Sequence, residues 1–84
     1  MIIFTKHAKN KFEILRKHKF IVSEDKVLKA LADPDLIDYS RLPLLIAQKK
    51  FDSAHVLRVV YKEGQGIIKV ITFYPGRSKN YGKK

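Results

Sequence analysis

Arg58, Arg77, Lys79 and Tyr81 are the residues of this chain whose types and spacing come nearest to a chemistry. Arg58 lies within HVLRVVYKE, which alternates as a strand does, and the other three follow Pro75-Gly76 after the strand-like run GIIKVITFY. A guanidinium on a rigid strand suits phosphate, because its planar fork is preorganised and permanently charged. Lys62 and Lys69 stand on the same two strands, and Phe73, Tyr74 and Tyr81 interleave rings with this charge. Base stacking on such a ring contributes about 1–3 kcal/mol and tolerates any base, so cations mixed with aromatics are what single-stranded RNA binding requires. The competing reading is that Lys and Arg stems lie over apolar neighbours and merely keep an exposed sheet soluble.

The histidines are His7, His18 and His55. No two of them have a helical ligand spacing and no carboxylate cluster accompanies them, so neither a metal nor a cofactor is expected. His7, in the first turn of the first helix, is either a partly buried helix-start residue or a general acid or base. Carboxylates are sparse on the cationic strands, with Glu63 at the hairpin turn, which argues against a paired-acid hydrolase. The GQG stretch is a turn and not a nucleotide cradle.

Such residues need a scaffold, and the chain is short. Its 84 residues suffice for one small domain spanning 1–84. With 45% hydrophobic and 31% charged residues the composition is globular. The lack of cysteine excludes disulfides, thiolate metal sites and a Cys nucleophile. No apolar run approaches a membrane span or a secretory signal, which predicts a cytoplasmic protein with no membrane partner. The formal net charge of +10, from 18 Lys and Arg against 8 Asp and Glu, attracts polyanions: nucleic acid first, an acidic protein second.

The apolar periodicity predicts the scaffold itself. MIIFT reads as a short strand, Thr5 as an N-cap, and Ala8, Phe12 and Leu15 as the buried stripe of a helix from Lys6 to about Lys19. Ser23 caps a second helix to about Ala32, with Glu24 and Asp25 in its first turn, and Pro34 ends it. The stretch from Asp35 to Pro43 reads as a connector. Three strands follow: one from Leu44 to about Lys49, then two joined at EGQG. A two-residue turn at Gly64-Gln65 would set Val60 opposite Lys69, Arg58 opposite Ile71 and Val56 opposite Phe73. Leu57, Val59, Tyr61, Ile68, Val70 and Thr72 then face the helices, with Tyr74 pointing the same way. Val56, Arg58, Val60, Lys62, Ile67, Lys69, Ile71 and Phe73 form an open, cationic face. The expected fold class is α+β, strand-helix-helix-strand-strand-strand, with a helical hairpin on one face of a mainly antiparallel sheet.

IIFTKHAKNKF, VSEDKVLKALADPDLI, HVLRVVY, IIKVITFYP and GRSKNY, in that order, resemble a small domain-of-unknown-function family within the RelE/ParE toxin superfamily. BrnT-like toxins share the KH…DP character of the helical region. The resemblance implies a compact toxin fold, an acidic antitoxin as partner and, as in RelE-like members, metal-independent cleavage of mRNA, including mRNA on the ribosome. By position, Arg58 and Arg77 match the family's basic sites, Tyr81 its C-terminal aromatic and His7 the histidine of its opening helix. These four are the catalytic candidates that the resemblance implies. Lys62, Lys69, Phe73 and Lys79 are the RNA-binding candidates. Two alternatives stand beside this: a non-catalytic nucleic-acid-binding module, and a ParE-like or degenerate toxin that acts through protein contacts. An exposed patch of Val56, Val60, Ile71 and Phe73 would also leave homodimerisation open.

Overall fold

The computed structural model describes residues 1–78. Strand β1 (Ile2–Phe4) leads into helix α1 (Lys6–Lys17) and helix α2 (Glu24–Ala32). Four strands follow: β2 (Leu36–Asp38), β3 (Leu45–Lys50), β4 (His55–Gly64) and β5 (Ile67–Arg77). The five strands form one open sheet in the order β1-β5-β4-β3-β2. β1 runs parallel to β5, and the other neighbours are antiparallel. The fold is a small α+β domain with two helices packed against a mixed sheet.

Both helices begin where their caps dictate. The Thr5 hydroxyl accepts a hydrogen bond from the Ala8 N–H at 3.1 Å, and Ser23 Oγ accepts one from Lys26 at 3.3 Å. Each satisfies a donor that the first helical turn leaves over. Thr5 also ties the first helix to the sheet, because its hydroxyl donates to the Ile71 carbonyl at 3.0 Å. α1 lies over β1 and β5, and α2 lies over β3 and β4. Ala8, Leu15, Val22, Val27 and Ala30 meet Leu57, Val59, Val70 and Phe73 in the core. Phe12 stacks tilted on Phe73 at 4.7 Å between ring centroids. Burying a side chain of this size contributes about 1.5–3 kcal/mol, so this layer carries much of the stability.

Three features depart from the sequence-based reading. Leu36–Asp38, expected as part of a connector, forms β2 and pairs with β3. β5 continues through Pro75-Gly76 to Arg77. Beyond Val70 it has β4 as its paired neighbour and β1 no longer flanks it, so proline's missing N–H can face an open edge.

The third departure is the hairpin register. The turn is Gln65-Gly66, with φ of 53° and 76°, closed by the Gly64–Ile67 pair. Two successive left-handed residues make the primed turn that matches strand twist. A bulge follows: Tyr61 pairs with Val70 but Val60 pairs with Thr72, leaving Ile71 as the extra residue. That one residue inverts the second half of β5. Phe73 is fully buried beneath α1, so it does not belong to the helix-free face. Tyr74 pairs with Arg58 and lies on the helix-free face, opposite to the orientation expected. Val56 and Val60 are buried as well, so the exposed apolar patch suggested for dimerisation is not formed by them.

Candidate functional site

The helix-free face is organised around Arg58, which is 7% exposed. Strand pairing sets Gln48 of β3 and Tyr74 of β5 on either side of it. Arg58 Nη1 donates to Gln48 Oε1 at 2.6 Å, Nη2 to Asp38 Oδ2 at 3.3 Å, and Nε to the Tyr74 hydroxyl at 3.2 Å. The guanidinium carbon also lies 6.0 Å from the centroid of the Tyr74 ring. Each side of the fork therefore has an internal acceptor. This geometry supports a buried charge network that fixes β2 and β5 onto the central strands.

Lys62 and Lys69 are exposed and directly opposite each other near the hairpin turn. Lys62 stands four residues from Arg58 along β4, about 13 Å at ~3.3 Å per residue. His7 is exposed on α1, across the sheet from Arg58. Arg77 pairs with His55, and strand alternation puts that pair on the helix side. Arg58 and Arg77 are thus on opposite faces and do not share the rim of one site. Arg77 is also about 20 Å, six residues at ~3.3 Å, beyond the Ile71 carbonyl that anchors the start of α1. Lys79 and Tyr81 lie outside the described residues.

What the fold does assemble is a second constellation at the far end of β4 and β5. Arg77 and His55 line an open cleft of about 460 Å³ together with Ser53, Ala54 and Ser78. The loop between β3 and β4 is shaped by Asp52, whose Oδ1 accepts from the backbone N–H groups of Ala54 at 2.9 Å and His55 at 2.8 Å. The same oxygen is 2.9 Å from His55 Nδ1. An ionised carboxylate only accepts, so Nδ1 carries the proton in this contact, and in the neutral imidazole the lone pair is on Nε2. The imidazole is steadied by an edge contact to Phe20 at 5.4 Å. Its side chain remains 39% exposed. A histidine oriented by a carboxylate, with a guanidinium on the paired residue, can move a proton beside a bound anion.

Sequence reasoning had marked Arg77 but not its partners. The available signal was an aspartate in a turn three residues before a histidine that starts a strand, a local spacing that brings the two side chains together.

The Ala54 N–H, then the His55 ring, hold the Asp52 carboxyl below its ordinary value of 3.8. The Ser40 hydroxyl and N–H, and after them Arg58, do the same for Asp38. A lowered folded value means that the stabilisation is complete above 3.8 and is lost as pH falls through the lower folded value. Thermal melts across the acid range should therefore fall in this window, and Asp52→Asn should make the fall shallower. An identical acid profile for the variant would contradict this.

Among the described residues, no three His, Cys, Asp or Glu side chains are grouped to hold a metal ion, and no helix is long and apolar enough to cross a membrane. Comparison with protein-family models, curated proteins and solved structures finds no match. The site must therefore be read from its own chemistry.

Proposed function

We propose that this chain is the toxin-like component of a toxin–antitoxin pair and that it cleaves RNA without a metal at the Asp52–His55–Arg77 cleft. The RelE/ParE resemblance supplies the class, and the net charge of +10 suits a polyanionic substrate. The observation that carries the reading is the imidazole held by Asp52 beside Arg77 in an open cleft. In this reading His55 Nε2 takes the proton of a ribose 2′-hydroxyl. The 2′-oxygen attacks the adjacent phosphorus, and the P–O5′ bond breaks as the 5′-oxygen takes a proton from water. The products are a 2′,3′-cyclic phosphate and a 5′-hydroxyl. Arg77 binds the phosphate and counters the charge that builds on its oxygens.

Incubation of single-stranded RNA with the purified protein tests this directly. Cyclic-phosphate ends are expected, and Arg77→Ala should reduce the rate about 100-fold, the scale of losing one charge-stabilising donor. RNA left intact by the folded wild-type protein would rule cleavage out.

A second reading rests on Arg58. Because Gln48, Asp38 and Tyr74 hold its fork internally, the helix-free face can serve as a protein-binding surface in a toxin that acts through protein contacts. A tight complex with an acidic antitoxin, together with no RNA binding at low salt, would favour this reading. A neighbouring reading frame encoding an acidic chain would support either form of the pair.

A further inference from the structure

The cleft does not end at His55. The His55 ring contacts Phe20, whose ring lies 4.6 Å from that of Phe51, and Lys26 Nζ stands 5.2 Å from the Phe51 centroid. These contacts lead from the cleft to a groove between α2 and the end of β3, lined by Lys26, Lys29, Lys49 and Lys50 with Phe51 and Leu57. The four lysines are not equivalent. Lys49 is 3.6 Å from Asp33 and 3.7 Å from Asp35, and it also donates to the Asp33 carbonyl. Lys50 pairs with Val56 two residues beyond Gln48, so strand alternation sends it toward the helix-free face. Lys26 and Lys29 of α2 are exposed on the helix side, and among the described residues neither has an ion pair. Two ammonium groups without a carboxylate partner therefore stand on one wall that begins where the cleft ends. The groove, at about 80 Å³, is small, and one side of Phe51 is occupied by Phe20 and another by Lys26. It suits a string of phosphates and offers little to a base.

We infer that the groove between α2 and β3 is a binding track for the backbone of single-stranded RNA, with Lys26 and Lys29 each meeting one phosphate of the strand that leaves the cleft. The inference rests on the ribonuclease reading for where the strand enters, and it extends that reading to an oligomeric substrate. Contacts to phosphate alone carry no base information, so this track adds affinity without sequence preference.

The salt dependence of binding tests the track separately from cleavage. The probe is a short 2′-O-methyl oligoribonucleotide, which cannot be cleaved through its 2′-position. Each phosphate contact on a single strand contributes about 0.7 to the slope of log K against log salt. The variant Lys26→Ala, Lys29→Ala should thus lower the magnitude of that slope by about 1.4. A control of equal charge, Lys6→Ala, Lys9→Ala on exposed positions of α1, should leave the slope at its wild-type value. An unchanged slope in the groove variant, or the same loss in both variants, overturns the track. So does failure of the wild-type protein to bind the oligonucleotide. The expected slope loss with no cyclic-phosphate product from ordinary RNA would instead uphold the track and remove the ribonuclease.

Discussion

Replacing His55 by alanine is expected to slow RNA cleavage by about 10²- to 10⁴-fold, the range for losing a positioned proton acceptor. The fold should survive the change. His55 is half-buried at the mouth of a strand, and the layer that carries stability is formed by Leu57, Val59, Val70 and Phe73. Asp52→Asn is the informative companion. Its amide oxygen can still accept from the Ala54 and His55 N–H groups, so the loop geometry has a substitute. It provides no negative charge to stabilise the imidazolium that forms when Nε2 takes a proton. A smaller loss, about 10- to 100-fold, is expected, and the double variant should be scarcely slower than His55→Ala, because residues acting as a unit are not additive. Cleavage at the wild-type rate by folded His55→Ala would place the chemistry elsewhere.

Arg58→Ala is expected to act on the fold. It would leave the Gln48 side chain, 2% exposed as a residue, without its 2.6 Å donor and take a counter-charge from Asp38. Breaking a network of this kind costs about 3 kcal/mol, a substantial part of the ~5–15 kcal/mol that holds a typical domain together. For a domain of this size the melting temperature should drop by more than about 10 °C. Replacing Arg58 and Gln48 together by methionine should recover part of the loss, since removing both partners leaves fewer buried polar groups unmet than removing one. A melting temperature equal to that of the wild type would show that the network contributes nothing to stability. Loss of function in Arg58→Ala, measured without such a melt, would not distinguish a phosphate ligand from a structural residue.

The helices were legible because their signals are local. Thr5 and Ser23 cap the elements they were expected to cap, and Ala8 and Leu15 are buried as their spacing predicts. On β4 the alternation also held, with Leu57 and Val59 toward the helices and Arg58 away from them. β2 escaped notice because three residues give almost no periodic signal, and Leu36–Asp38 becomes a strand only when β3 lies beside it.

The candidate site divides in the same way. Asp52 and His55 are three residues apart, and their contact belongs to a local turn. The company each keeps is a matter of register. A slip of two residues at the hairpin turn leaves every face as expected, and it would not have disturbed the reading. The bulge at Ile71 adds one more residue, and an odd shift exchanges the faces. It sends Phe73 into the core, brings Tyr74 to Arg58, and sets Arg77 beside His55 across the sheet from Arg58. The sequence by itself determined the class of the fold, the two helices, the polarity of β4 and the cationic character of the whole chain. The tertiary structure decided which cation meets which partner, because strand alternation fixes sidedness within a strand, whereas a bulge is selected by packing between strands and helices that are distant in sequence.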